Sequence, residues 1–170
     1  HNFRLMYSRF NDKTFSSFNT FLNASATKDA LVSNRIYDNT LKQYNQTINS
    51  EAIPFNLYGN VMYNTPIIQK RLHFNTSSNL GYRTNYSYVS RNVNIEDINI
   101  DHLLLGDLSR TRYYNASEEI AVTLTHDVVE LGVRGRIGYT NSLNNLKNEV
   151  TETYDWSVRG NLVLRLPYDF

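Results

Sequence analysis

The chain has 170 residues, a formal net charge of +1 and no cysteine, which is the length of a single domain. The balanced charge gives no reason to expect a nucleic-acid partner, and the lack of cysteine excludes disulfides, thiolate metal sites and cysteine nucleophiles. No run approaches the about 18 apolar residues of a membrane-spanning helix. Because the first residue already lies in a strand-like pattern and no targeting segment precedes it, we expect a mature or excised fragment.

The aromatic content points to strands with two unlike faces. The chain has 13 Tyr, 8 Phe and 1 Trp, yet its mean hydropathy is −0.49. Strands with one apolar face and one wet face produce this mixture. Most segments alternate with a period of two, which predicts β-strands. In chain order, the pattern predicts strands at about 3–8, 15–37, from 40 onwards, 55–63, 72–88, 112–125, 129–139 and 154–166.

We count about seven strands in meander order, joined by turns of alternating length. Short turns are predicted near residues 12, 66 and 127, and longer ones near residues 39, 100 and 145. The turn at 65–69 contains Pro66, and the polar stretch 140–148 is expected to be a longer loop. Short turns at one end and long loops at the other are typical of outer-membrane barrels. Within the segment 94–109, Leu103 to Gly106 fits a short helical turn or a loop anchor.

Two stripes show the two-faced pattern best. In the first, Tyr154, Trp156, Val158, Gly160, Leu162, Leu164 and Leu166 share one face, opposite Asp155, Ser157, Arg159, Asn161 and Arg165. In the second, the odd-even alternation from Leu72 to Tyr88 gathers aromatic residues toward one end, as in an interfacial girdle. The predicted fold is therefore all-β, an antiparallel meander of long amphipathic strands that forms part of a transmembrane β-barrel.

No catalytic, cofactor-binding or metal-binding constellation emerges, so we expect no enzyme and no cofactor. The four histidines are far apart in sequence, at His1, His73, His102 and His126. Neighbouring Glu118 and Glu119 fall on opposite strand faces, which is poor geometry for paired acid–base chemistry. The glycines at 132, 135 and 138 have no following helix, so they indicate barrel curvature and not a phosphate loop. Asp97, Asp101 and His102 are close enough to bind a cation, but a solvated loop is the favoured interpretation.

Five arginines are predicted to project from polar strand faces into a barrel lumen: Arg83, Arg134, Arg136, Arg159 and Arg165. They either select solutes by charge or form salt bridges with acidic residues of neighbouring strands or of a plug. Lumen charge in large barrels commonly does both, and we favour the structural role.

Several segments resemble the outer-membrane protein β-barrel family of Bacteroidetes, which is similar to TonB-dependent receptors. The resemblance lies in the stretches 21–25, 54–60, 104–107, 138–142, 154–157 and 161–167. It implies a barrel of about 22 strands with an N-terminal plug in the cell outer membrane, for uptake of a large or scarce solute such as a glycan, peptide or iron complex. Implied partners are outer-membrane lipid, the TonB system through the plug, and a substrate-binding lipoprotein.

About seven strands cannot close such a ring, so we expect residues 1–170 to be a single barrel segment, with the plug and the remaining strands outside it. Two alternatives stay open. One is a soluble β-sandwich that serves as a surface binding or adhesin module. The other is a complete small structural barrel of eight strands. The alternating apolar end at Phe170 is similar to the assembly signal of complete barrels, although Pro167 interrupts it.

Overall fold

The computed structural model of the chain describes residues 1–93 and 105–164, and for residues 92 and 93 only the backbone. These residues form one sheet of nine strands, and no helix occurs among them. The strands are β1 Asn2–Asn11, β2 Ser16–Ala26, β3 Ala30–Asp38, β4 Gln43–Ser50, β5 Phe55–Ile68, β6 Leu72–Val93, β7 Asp107–Thr125, β8 Val129–Asn144 and β9 Glu149–Leu164. The predicted all-β class is confirmed.

Seven of the strands form a continuous antiparallel ladder in the order β1-β2-β5-β6-β7-β8-β9. The sheet is open within the described ranges, with β1 and β9 at its edges. Its central strands are long, with 22 residues in β6 and 19 in β7, against a usual length of about five or six. Long strands in meander order are predicted, and the turn predicted near residue 39 is confirmed between β3 and β4. The count of about seven is too low because the prediction joins β2 and β3 into one strand.

That hairpin is inserted between β2 and β5 and extends the sheet beyond the start of β5. β3 pairs in parallel with the last part of β6, with Asn34 opposite Tyr88, in the place that β5 occupies beside the first part of β6. The chain therefore leaves the main ladder at residue 27, forms the β3–β4 hairpin and returns to the ladder at residue 54. A hydrogen bond joins these two points, in which the Thr27 N–H donates to the Pro54 carbonyl at 3.2 Å. At this junction the Phe55 N–H donates to the Thr84 hydroxyl at 2.9 Å, which replaces a backbone partner.

The prediction of one strand from Phe15 to Tyr37 is wrong. β2 ends at Ala26 and β3 begins at Ala30. Asp29 between them has a φ of 53°, a left-handed conformation in which Asp is enriched several-fold. The polar residues at 27–29 therefore form a turn that the period-two pattern conceals.

The turn predicted at Pro66 is also misplaced. β5 continues to Ile68, and the chain turns at residues 69–71. Proline lacks the N–H that a ladder requires. It is tolerated here because the pairing of β5 with β2 ends at Asn64, so one side of Pro66 has no strand to bond, and the pairing with β6 shifts between Pro66 and Ile68.

The loop predicted at 140–148 is mostly strand. β8 continues to Asn144, and only residues 145–148 turn. The Asn144 side-chain oxygen accepts the N–H groups of Leu146 and Lys147 at 3.0 and 3.1 Å, and Asn148 adopts a φ of 51°. Asparagine supports both features, so an Asn-rich segment makes a tight hairpin here.

The turns nevertheless divide the sheet into two unlike ends. At the short-turn end, the chain reverses at residues 12–15, 69–71 and 126–128, which confirms the turns predicted near 12 and 127. At the other end, which we call the long-loop end, lie the β3–β4 hairpin and the connection between β6 and β7. The turn at 145–148 also lies there but is no longer than the turn at 12–15, so the longer loop predicted near 145 is wrong. Most of the β6–β7 connection, including Leu103 and Leu104, lies outside the described residues. Gly106 packs directly on the backbone of β6, because a Cβ at this position would lie only 2.6 Å from the Val89 backbone.

The ladder register aligns the alternating residues into two continuous faces. The apolar face carries Phe3, Leu5, Tyr7, Phe18, Leu22, Leu57, Val61, Tyr63, Leu72, Phe74, Leu80, Tyr82, Tyr114, Ile120, Val122, Leu124, Leu131, Val133, Ile137, Tyr139, Tyr154, Trp156, Val158 and Leu162. The polar face carries Arg4, Ser8, Asn19, Asn23, Asn60, Asn64, Asn75, Ser77, Asn79, Arg83, Ser117, Glu119, Arg134, Arg136, Ser157, Arg159 and Asn161.

No second layer covers the apolar face within the part of the chain that the structure describes. Among the described residues the buried apolar side chains are Val32, Ile36, Tyr88 and Ala121, which is far too few for a shared core. Leu80 is 64 % exposed, Val158 67 % and Trp156 78 %. A β-sandwich buries such a face against a second sheet, and the described part of the chain contains a single layer.

Candidate functional site

An upper aromatic row runs across the apolar face toward the long-loop end. It consists of Phe55, Tyr82, Tyr114, Tyr139 and Tyr154. The rings of Tyr82 and Tyr114 lie 4.8 Å apart and those of Tyr139 and Tyr154 5.0 Å apart. Polar side chains follow at once on the same face, namely Arg112, Asn141 and Glu152. The Tyr139 hydroxyl donates to Glu152 at 3.1 Å, so the row marks a boundary between apolar and polar surroundings.

A lower aromatic row crosses the same face nearer the short-turn end. It consists of Tyr7, Phe18, Tyr63 and Phe74. The rings of Tyr7 and Phe18 lie 6.2 Å apart, and Tyr63 is paired with Phe18 across β5 and β2. From β7 to β9 the corresponding positions are aliphatic, with Leu124, Leu131 and Leu162 in register.

Both rows slant in the same direction across the strands. We measure each row against the residue positions of β6. The upper row begins at Phe55, which is level with Thr84, and ends at Tyr154, which is level with Leu80, so it falls by four residues over four strand-to-strand steps. The lower row drops by four residues over three steps, from Tyr7 in line with Ser78 to Phe74. At about 3.3 Å per residue and about 4.8 Å between strands, these slopes are about 35° for the upper row and about 42° for the lower row. Strands that cross a plane at this tilt would place each row parallel to the plane.

The rows are separated by a nearly constant distance. On β6, Phe74 and Tyr82 are eight residues apart, and on β5 so are Phe55 and Tyr63. Eight residues span about 26 Å along a strand, which projects to about 20 Å at the tilt above. That height is comparable with the apolar band of about 25 Å that outer-membrane barrels carry between aromatic girdles.

One carboxylate interrupts the apolar face between the two rows. Glu118 shares this face with Ile120 and lies opposite Ser78 on β6 and Ile137 on β8. The hydroxyls of Thr76 and Ser78 donate to its two carboxylate oxygens. A carboxylate facing an apolar medium is costly unless it is hydrogen-bonded, and the two neighbouring hydroxyls supply those bonds.

Amide and hydroxyl side chains connect three strands on the polar face. Asn79 on β6 is central to this network. Its oxygen accepts from the Tyr58 hydroxyl at 3.0 Å and from the Asn60 amide at 2.8 Å, and its own amide donates to Ser117 at 3.4 Å. Asparagine here serves cross-strand hydrogen bonding on the polar face.

The arginines predicted for the polar face divide into separate places. Arg83 lies over the Tyr113 ring, with 4.8 Å between guanidinium and ring centre. Arg134, Arg136 and Arg159 come together on β8 and β9 with Glu119 and Ser157; we call these five residues the arginine cluster. Arg165 lies outside the described residues. The predicted salt bridging is found for Arg134, whose Nε lies 3.5 Å from Glu119, while Arg136 and Arg159 have no acidic partner in the described part of the chain.

Two features of these faces escaped the sequence interpretation. Glu118 was considered only as half of a Glu–Glu pair, although its even-numbered spacing from Ile120 and Val122 places it on the apolar face. The clustering of Arg134 with Arg159 required the register of β8 with β9, because the two residues are far apart in sequence and lie directly opposite each other in the sheet.

Asp38 stabilises the tip of the β3–β4 hairpin, beyond the upper aromatic row. Its carboxylate is fully buried and accepts the N–H groups of Thr40 and Lys42 at 2.8 and 2.9 Å and the Thr40 hydroxyl at 2.7 Å. Burial by itself raises the pKa of Asp38, but these hydrogen bonds and the charge of Lys42 outweigh it and hold the pKa below its ordinary value of 3.8.

The hairpin tip should therefore lose stability in acid. A carboxyl whose pKa is depressed on folding contributes its stabilisation above the unfolded-state value, and this is lost as the pH falls through the folded value. Hydrogen-exchange protection of the Thr40 and Lys42 amides should be constant from neutral pH to about 4 and should decrease below the ordinary pKa of 3.8. In Asp38→Asn the same protection should not change with pH; an equal acid loss in that variant would contradict the assignment.

Within the described ranges, no three His, Asp or Glu side chains are grouped so that they could hold a metal ion; Asp97, Asp101 and His102 lie outside those ranges. No helix that is long and apolar enough to cross a membrane occurs in the part of the chain that the structure describes. Comparison of the chain with protein families, curated proteins and solved structures finds no match.

Proposed function

We propose that the chain is a wall segment of an outer-membrane β-barrel, with its apolar face toward lipid and its polar face toward an aqueous lumen. The observation that carries this proposal is the pair of parallel aromatic rows that bound the apolar face. Their slants of about 35° and about 42° agree with the strand tilt of about 35° to 45° in outer-membrane barrels. A face of this kind is stable when a lipid bilayer covers it.

The free edges of the sheet support the same proposal. Every residue of β1 is exposed, and β9 has one intermediate residue among exposed ones. Inside a bilayer each backbone N–H and C=O needs a partner, which only a closed ladder supplies. The edges therefore belong beside further strands of the same barrel.

The transport role rests on the resemblance. We propose a TonB-dependent-receptor-like barrel in the outer membrane that takes up a large or scarce solute, such as a glycan, peptide or iron complex. Its partners would be outer-membrane lipid, the TonB system through a plug, and a substrate-binding lipoprotein. The wet, hydrogen-bonded polar face suits a lumen wall, and the protein would act in transport and not as an enzyme.

Trp156 provides a direct test of the lipid-facing assignment. It is the only tryptophan of the chain, lies on the apolar face and is 78 % exposed. In vesicles of brominated lipid, the complete protein with Trp156 as its single tryptophan should lose most of its Trp emission, because bromine quenches fluorophores that lie within the bilayer. Aqueous iodide should have little effect.

A matched variant moves the reporter to the other face. In Trp156→Phe combined with Asn161→Trp, the tryptophan lies on the same strand but on the polar face, and iodide should quench it instead of brominated lipid. A Trp156 emission that iodide quenches and brominated lipid leaves unchanged would overturn the barrel-wall proposal. It would favour the soluble binding module.

A further inference from the structure

We infer that the arginine cluster on the polar face is a binding site for an oxyanion group, such as the phosphate or carboxylate of a solute. The site is formed by Arg134 and Arg136 on β8, Arg159 and Ser157 on β9, and Glu119 on β7. This placement deepens the proposed function, since a lumen site would act on a transported solute. The binding chemistry itself does not depend on that function.

The register places like charges next to each other. Arg134 lies directly opposite Arg159, and Arg136 lies opposite Ser157 on one side and Glu119 on the other. Like charges in directly opposite positions destabilise a sheet. Two guanidiniums are thus brought to one spot at a cost that an anion between them would remove.

The acidic residues nearby do not neutralise the cluster. Glu119 is held by Arg134 at 3.5 Å. The Asp155 carboxylate lies over Gly138, one step further toward the long-loop end. The side chains of Arg136 and Arg159 make neither a hydrogen bond nor an ion pair with any residue in 1–93 or 105–164. Three cations against one carboxylate leave a local excess of positive charge.

The chemistry and size of the site define the ligand class. A guanidinium presents a planar fork of N–H donors that fits carboxylate and phosphate oxygens, and the Ser157 hydroxyl adds a further donor. The five residues line an open cavity of about 70 Å³, well below the about 300–1,000 Å³ of pockets that hold whole small molecules. The cavity therefore takes one anionic group, with the rest of the solute in the lumen.

Inorganic phosphate is a suitable probe. We expect the purified complete protein to bind phosphate saturably in calorimetric titration, with chloride at equal ionic strength as the reference. Arg159→Gln and Arg136→Gln should each weaken phosphate binding by about tenfold or more, as the loss of a charge-assisted bond implies. Arg83→Gln is the matched control, because Arg83 is on the same face but lies over Tyr113; it should bind as the parent does.

A second measurement does not require the ligand. Without phosphate, Arg159→Gln should unfold at a higher urea concentration than the parent, since it removes the charge opposite Arg134. Added phosphate should stabilise the parent more than this variant. Absence of saturable phosphate binding, or equal weakening by Arg83→Gln, would overturn the site. Phosphate binding with iodide-quenched Trp156 would instead retain the site and reject the barrel.

Discussion

Val158→Arg should destabilise the membrane-inserted protein by about 2–4 kcal/mol, the cost of an arginine on the lipid face near the bilayer midplane. Val158 is 67 % exposed on the apolar face and lies between Tyr154 of the upper row and Leu162 at the opposite end of the apolar band. Its cross-strand neighbour on β8 is Gly135, which has no side chain to pair with the guanidinium. The urea midpoint of the heat-modifiable band in vesicles measures this loss.

The control is Asn161→Arg, which adds the same side chain to the same strand on the polar face. A surface substitution of this kind changes stability by about 0.5 kcal/mol or less. The difference between the two variants reports mainly the medium that each face contacts, because the strand and the added charge are alike. Equal midpoints would mean that the apolar face does not meet lipid.

The sequence predicted the two faces well because the side-chain period of a strand is two. Alternation within a single run, such as 154–164, already assigns Trp156 and Arg159 to opposite faces, and the register confirms this for the described ladder. Local turn chemistry was predicted where the turn residues follow a complete strand, as at 126–128.

Long-range pairing was not predictable from alternation. A strand of period two continues through a short polar turn without changing its pattern, which is why β2 and β3 were merged. The pairing of β3 with β6 depends on the junction between residues 27 and 54, and the alternation of residues in the sequence does not reveal this junction. Strand register likewise determines the slant of the aromatic rows and the contact of Arg134 with Arg159. A single sequence restricts this register only by requiring that apolar residues of neighbouring strands share one face.

Glu118 provides the second large expected effect, because it is a carboxylate on a face assigned to lipid. If Thr76→Val and Ser78→Ala are combined, both carboxylate oxygens lose the hydroxyls that donate to them. An unsatisfied polar group away from water costs about 1–3 kcal/mol, and more when it is charged. We therefore expect the double variant to lose at least this much stability in vesicles.

Glu118→Leu should keep the stability of the parent in vesicles or raise it. A carboxylate in an apolar environment costs far more than a hydroxyl, so removal of the charge outweighs the loss of an acceptor for Thr76 and Ser78. Leucine would also continue the stripe of Ile120 and Val122. Adding Glu118→Leu to the Thr76→Val and Ser78→Ala pair should recover most of the loss, because no carboxylate is left to satisfy. Such recovery is the non-additivity that identifies a direct interaction.

The same urea midpoints distinguish a Glu118 that faces lipid from a Glu118 that binds a partner protein. If Glu118→Leu alone lowers stability as much as removal of the two hydroxyls does, the carboxylate contributes favourably and the apolar medium around it is not lipid. The face near Ile137 and Trp156 would then contact another protein surface that offers a donor or a cation. If the leucine variant is as stable as the parent or more so, the carboxylate is a tolerated cost, and Thr76 and Ser78 are the residues that make it tolerable.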